Sequence, residues 1–221
     1  MCNDDGSVTM NTNKELLIQR LKQQGYLQSQ GVEEAIRKVP RELFIPKELQ
    51  HAAYVDTPLS IGSGQTISAP HMVVIMCEHL DVQPGQTILE IGSGSGYHAA
   101  VLSHLVGPTG KVFSVERIPL LANDATHALK KAKIENVLVI LGDGSEGLDE
   151  FQPYDRIYVT CAAPSIPDPL LHQLKKDGLL LIPVGSHYCD LIAVTKHNDH
   201  VTKKNLGGCA FVPLVGKFGY H

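Results

Sequence analysis

The chain has 221 residues, 43% of them hydrophobic, with 19 basic against 23 acidic side chains and a formal net charge of −4. That apolar content excludes disorder as the main state, and the length fits one domain with a small appendage and room for a complete buried sheet. The slight acidity argues against a dedicated binder of nucleic acid or anionic membrane, and no apolar run approaches the roughly 20 residues of a membrane-spanning helix.

The N-terminal Met1-Cys2-Asn3-Asp4-Asp5-Gly6 has neither the basic nor the apolar region of a secretory signal. The five cysteines, Cys2, Cys77, Cys161, Cys189 and Cys209, are odd in number and never spaced C-x-x-C. Both features lead us to expect a reducing, cytoplasmic setting. Residues 1–12 read as a flexible tail. Thr12-x-x-Glu15 is a capping box that predicts a helix opening there, with Leu16, Leu17, Ile18 and Leu21 on its apolar side and Gly25 at its end. A second helix is predicted over 32–39, before Pro40. Residues 54–68, rich in Gly, Ser, Pro and Thr, predict a long ordered loop, and such loops in compact domains are usually functional. Residues 69–80 carry a helical apolar pattern through Met72, Val73, Ile75, Met76 and Leu80.

After Pro84-Gly85 the texture changes. Short β-branched runs at 87–91, 111–116, 137–141, 156–160 and 179–184 predict strands, and 97–106, 118–132 and 167–176 predict helices between them. Further strands are expected at 190–195 and 208–212. Strands alternating with helices imply βαβ crossovers. The expected class is α/β: a doubly wound, mostly parallel sheet over 81–221, preceded by a helical N-terminal extension over 13–80 that carries the long loop.

The segment Ile88-Leu89-Glu90-Ile91-Gly92-Ser93-Gly94-Ser95-Gly96-Tyr97 joins a buried strand to a helix through glycines. In doubly wound sheets, nucleotide-type ligands sit at such a turn, against open backbone and a helix N-terminus. Gly94-x-Gly96-x-x-Ala99 also satisfies a dinucleotide fingerprint, so the spacing alone leaves NAD open. Glu90 weighs against it, because a carboxylate beside a pyrophosphate is repelled, whereas a ligand bearing positive charge welcomes it. A carboxylate serving only to accept from helix-start amides is the plainer alternative. Glu116, ending the second strand, can accept both ribose hydroxyls, or else be a surface acid. Asp143 in Gly142-Asp143-Gly144 can accept from an adenine amino group, or else form an Asp-Gly turn. Three acids at three successive strand ends line one edge of the sheet.

Outside the sheet, Gly62-Ser63-Gly64-Gln65-Thr66-Ile67-Ser68-Ala69-Pro70-His71 is the second constellation. Ser68 before Ala69-Pro70 is a good helix N-cap, and no His/Asp pair in the sequence marks it as a nucleophile. His187, Cys189, Asp190, His197 and His200 cluster in one expected hairpin but lack zinc-ligand spacing, so no metal is expected.

Pro58-Leu59-x-Ile61-Gly62 through Gln65-Thr66-Ile67-Ser68-x-Pro70-His71 resembles the signature loop of the protein-L-isoaspartate O-methyltransferase family. The glycine segment, Gly142-Asp143-Gly144, Ala162-Ala163-Pro164 and Pro183-Val184-Gly185 follow the family in the same order, and Phe211-Val212-Pro213-Leu214 resembles its closing strand. The resemblance covers about residues 30 to 215. It implies a Rossmann-like methyltransferase fold and methyl transfer from S-adenosylmethionine to the α-carboxylate of isoaspartyl residues in damaged proteins. It further implies Ser68 as the catalytic residue. Cofactor contacts would come from Gln65, Thr66, Ile67, Ser68, His71, Glu90, Gly92, Ser93, Gly94, Ser95, Glu116, Arg117, Asp143 and Gly144. Ser68, Phe211 and Val212 would meet the substrate, with 208–212 able to pair with an extended peptide. Isoaspartyl proteins are the expected partners, without nucleic acid or membrane, and a monomer is expected. Two departures stand out: Val215 where members often have Thr, and a chain that stops at His221 soon after the last strand. The rival readings are a cofactor-binding adaptor without turnover and an NAD-dependent oxidoreductase.

Overall fold

The computed structural model describes residues 5–186 and 188–221, so residues 1–4 of the expected tail and His187 lie outside the described residues. Helix α1 (Asp5–Gln23) starts upstream of the capping box. Thr12 and Glu15 therefore sit within it rather than at its start, and residues 5–12, expected in the tail, are helical. Glu15 pairs instead with Arg37 of α2 (Gln30–Lys38). Leu17, Ile18 and Leu21 are buried as expected, whereas Leu16 is exposed. Ser29 caps α2, its hydroxyl accepting from Val32 N at 3.4 Å.

Two short 3-10 turns, Arg41–Phe44 and Lys47–Ala52, lead into the stretch expected as loop. It folds instead as an antiparallel hairpin of β1 (Leu59–Gly62) and β2 (Gln65–Ile67), turning at Ser63-Gly64, both with positive φ. Two strands this short lie below the reach of periodicity. Helix α3 (Pro70–Leu80) follows, with Ala69 rather than Ser68 at its N-cap. The capping bond comes from a distance: Asp56 Oδ1 accepts from His71 N at 2.9 Å. Ser68 is thus not a helix cap.

The sheet is built from β3 (Thr87–Ile91), β4 (Lys111–Glu116), β5 (Val137–Leu141), β6 (Tyr154–Val159), β7 (Leu174–Gly185), β8 (Cys189–Lys196) and β9 (Val201–Cys209). Helices α4 (Tyr97–Val106), α5 (Pro119–Lys131) and α6 (Asp168–Gln173) connect them. The order is β5-β4-β3-β6-β7-β8-β9. The first five strands run parallel and the last two pair antiparallel. Two expectations shift. α6 ends at Gln173 because β7 takes over at Leu174, and the last strand is Val201–Cys209, so residues 210–212 leave the sheet.

From β3 the chain steps outward to β4 and β5, then returns to place β6 on the other side of β3. That reversal opens a crevice at the C-terminal ends of β3, β4 and β6. Side chains of β3 alternate faces. Ile88 packs in the core shared with α1 to α4, while Leu89 and Ile91 belong to a second core under β6, β7 and α6. Each such fully buried aliphatic side chain contributes roughly 1.5–3 kcal/mol. The N-terminal helices share one core with the sheet, which fixes the β1–β2 hairpin over the crevice. Among the described residues no helix is long and apolar enough to cross a membrane.

Candidate active site

The crevice begins where β3 runs out. Gly92 has φ +93°, and a Cβ there would meet Thr160 Oγ1 at 2.5 Å, so only glycine fits. The Thr160 hydroxyl fills that space, donating to Gly92 O at 2.6 Å. From Gly92 the chain turns into α4, and its loop borders a cavity enclosing about 790 Å³ of empty space, mouth included. This volume suits a small-molecule ligand.

Of the expected cofactor contacts, Gln65, Thr66, Ile67, Ser68, Glu90, Gly92, Ser93, Gly94, Ser95, Glu116, Arg117 and Gly144 all line this one cavity. Glu116 is buried there rather than a surface acid. Its Oε2 accepts from Gly94 N and its Oε1 from Ile118 N, both at 2.9 Å. Each carboxylate oxygen keeps a further lone pair for a ligand hydroxyl.

Glu90 is fully buried, opposite Ser114 on β4 and Tyr158 on β6. Its Oε2 accepts from the Ser114 hydroxyl. Glu90 Oε1 and the neighbouring Tyr158 hydroxyl are both buried without a hydrogen-bond partner of acceptable geometry among the described residues. It caps no helix. Burial drives its pKa up to about 8, against the Ser114 hydrogen bond and the nearby Tyr158 hydroxyl and with help from the Glu116 charge. A carboxyl held this way is poised to ionise against a cation.

Three expected residues sit elsewhere. Asp143 lines neither this cavity nor its neighbour: Oδ1 accepts from Ser145 N and Oγ, and Oδ2 from Lys217 N at 2.8 Å. Burial opposes its ionisation, but these donors and the Lys217 charge prevail and hold its pKa below the ordinary value. Its carboxylate ties down the C-terminal segment, and Gly216 passes so close that no side chain fits there. His71 and Phe211 line a second cleft of about 730 Å³, with Pro58, Met72 and Gly208 to Ala210. His71 Nδ1 lies 2.9 Å from Asp56 Oδ1, and its ring sits 5.7 Å from that of Tyr26.

The two clefts share Thr66, Ser68, Thr160 and Val212. Ser68 therefore stands in the wall between them, and its hydroxyl has no hydrogen-bond partner among the described residues. Phe211-Val212-Pro213-Leu214 is no closing strand. It crosses the strand ends as an isolated bridge, with Ala162 N donating to Val212 O and Leu214 N to Ala162 O, each at 2.8 Å. Val215 lines the first cavity, so an apolar residue borders it where the resemblance led us to expect Thr.

Sequence reasoning missed Thr160, Cys161 and Pro213 as lining residues. Thr160 was within reach, since it follows the β6 run at the same sheet edge as the acids. Asp56 and Arg41, which fix the hairpin and the wall, gave no sequence signal. A larger hollow of about 1650 Å³ opens at the opposite end of the sheet. It lacks convergent buried polar groups. Among the described residues no cluster of three or more His, Cys, Asp or Glu could hold a metal.

Comparison with known proteins agrees with this geometry. The chain is 54% identical over 207 residues to a protein-L-isoaspartate O-methyltransferase of Methanococcus aeolicus, covering 94% of this chain and 96% of that one. It is 55% identical over 208 residues to protein-L-isoaspartate O-methyltransferase 2 of Archaeoglobus fulgidus, covering 94% of each. Its fold superposes with TM-score 0.83 on a Plasmodium falciparum structure described as a protein-L-isoaspartate O-methyltransferase in complex with S-adenosyl-L-homocysteine. That pair is 28% identical, covering 92% of this chain and 98% of the other. Residues 11–219 match the family profile of protein-L-isoaspartate(D-aspartate) O-methyltransferases. Matched to the family profile over nearly its whole length and more than half identical to these relatives, this chain belongs to the protein-L-isoaspartate(D-aspartate) O-methyltransferase family.

Proposed function

We propose that the chain transfers a methyl group from S-adenosylmethionine to the free α-carboxylate of L-isoaspartyl residues in damaged proteins. The observation that carries this reading is the pair of clefts meeting at Thr66, Ser68, Thr160 and Val212. A methyl donor in one cleft and a peptide in the other would touch only across that wall.

The residues present fit the donor. Its ammonium and sulfonium match the unpartnered oxygen of Glu90, and its ribose hydroxyls match the spare lone pairs of Glu116. A pyrophosphate in the same cavity would face both acids, which disfavours NAD. When bound, the donor supplies a methyl group activated by positive sulfur.

The four wall residues include no acid or base. None is needed, because the acceptor is a carboxylate with an ordinary pKa of about 3.5 and is already ionised at neutral pH. The chain's task is then to hold the acceptor in line and exclude water from it. Thr160 is committed to the Ile91 and Gly92 carbonyls. Ser68 keeps its hydroxyl for the acceptor and binds by donating a hydrogen bond, not by covalent attack. The methyl ester so formed closes to a succinimide without the enzyme, the following backbone nitrogen displacing methanol, and the succinimide can hydrolyse to normal aspartate.

The test is turnover. Labelled methyl groups should enter an isoaspartyl peptide in large excess over enzyme; stoichiometric peptide binding without ester formation would replace this reading with a non-catalytic adaptor.

A further inference from the structure

Arg41 is fully buried, and among the described residues no carboxylate pairs with it. Its Nε donates to Ala53 O at 3.0 Å and its Nη2 to Ser68 O at 2.7 Å. The guanidinium carbon lies 4.8 Å from the centre of the Tyr97 ring. Among the described residues Nη1 is buried without a hydrogen-bond partner. Removing a guanidinium from water is costly, and a buried cation held by carbonyls and a ring face, with the Asp56 charge acting on it only through space, is a poor source of fold stability. A well-packed apolar side chain would serve packing as well.

What it touches explains its presence. Ala53 precedes the hairpin segment, Ser68 is the wall between the clefts, and Tyr97 opens α4 directly after the glycine turn and lines the first cavity. One rigid, planar group with diverging donors joins all three, a geometry that lysine cannot reproduce. Among the described residues the Ser68 hydroxyl has no partner, so its placement depends on its backbone, and Arg41 Nη2 holds that backbone through Ser68 O.

We propose that Arg41 is a positioning residue, locking the Ser68 carbonyl against the start of α4 so that the Ser68 hydroxyl points reproducibly between cofactor and acceptor. This inference rests on the methyltransferase reading above, and the test separates the two. In the full chain, Arg41→Met and Arg41→Lys are compared with the wild type by amide hydrogen exchange, adenosylhomocysteine calorimetry and kcat on an isoaspartyl peptide, with melting temperature recorded. In Arg41→Met, exchange across residues 65–69 should rise at least about tenfold while β3 and β4 stay protected. There, kcat should fall about tenfold or more, with adenosylhomocysteine Kd within about threefold of wild type. Arg41→Lys, keeping one donor, should recover part of kcat.

Unchanged exchange at 65–69 would overturn the proposal, as would kcat and Kd worsening together. Failure of both variants to fold would equally overturn it, by making Arg41 a requirement of the fold. Should the wild type not methylate the peptide, the functional reading fails while the exchange result still judges Arg41.

Discussion

Replacing Glu90 by Gln should stabilise the ligand-free protein and weaken its cofactor site at once. Burial raises the Glu90 carboxyl from its ordinary 4.5 to about 8. Below about pH 4.5 the folded and unfolded chains both hold this proton. Between about 4.5 and 8 only the folded chain holds it, so stability falls as pH rises through that window and levels off above about 8. At ~1.36 kcal/mol per unit, the cost at alkaline pH is on the order of a few kcal/mol. Gln avoids it, accepting from Ser114 and donating toward the unpartnered Tyr158 hydroxyl. A gain of ~2 kcal/mol corresponds to a Tm higher by ~4–8 °C near pH 9, shrinking toward zero near pH 5. The variant also lacks the negative charge that faces a cationic ligand, so adenosylhomocysteine affinity near pH 8 should fall at least ~10-fold, or ~1.4 kcal/mol. Thermal melts from about pH 5 to 9, with calorimetry alongside, read both effects. A Glu90→Gln protein less stable than wild type near pH 9, or one with unaltered affinity, would refute the reasoning.

Other expectations follow from the same geometry. Glu116→Ala removes the acceptor for Gly94 and Ile118 N–H and, on the proposed reading, for a ribose hydroxyl. A charge-assisted bond is worth ~1.5–3 kcal/mol, so calorimetry should show at least a tenfold loss of adenosylhomocysteine affinity; wild-type affinity would place the ribose elsewhere. Ser68→Ala should leave Tm within about 1 °C, because Ser68 caps no helix, while single-turnover methylation falls tenfold or more, ~1.4 kcal/mol of barrier. A lower Tm with intact turnover would reverse that assignment. Asp143→Ala should lower Tm and speed exchange across 213–220, since it releases the Lys217 and Ser145 anchors; a variant with unchanged exchange but lost affinity would return Asp143 to an adenine-binding role.

The parallel half of the sheet was legible in the sequence because its strands are short, dense β-branched runs separated by helices with clear apolar faces. Glu90, Gly92 and Glu116 were legible for a related reason: the end of a buried strand is a fixed place in such a sheet. What the sequence hid is long-range satisfaction of polar groups. Asp56 caps α3 from outside its own segment, and Asp143 is spent on the C-terminal segment. Arg41 reaches Ser68 across 27 positions of chain. Pairing of this kind depends on tertiary placement and leaves no local pattern. The β1–β2 hairpin and the early start of α1 escaped for a different reason, the first being too short for a period and the second lacking an apolar stripe before Leu16.

The central claim is discrimination between two carboxylates of similar intrinsic reactivity, one an ordinary Asp side chain and the other the α-carboxylate of isoAsp. Two peptides identical but for that linkage, incubated with labelled S-adenosylmethionine and followed by mass spectrometry, test it directly. The isoaspartyl peptide should form methyl ester and then succinimide over many turnovers, with the Asp peptide left unmodified. Equal methylation of the two peptides, or none of either by a protein that binds adenosylhomocysteine, would contradict it.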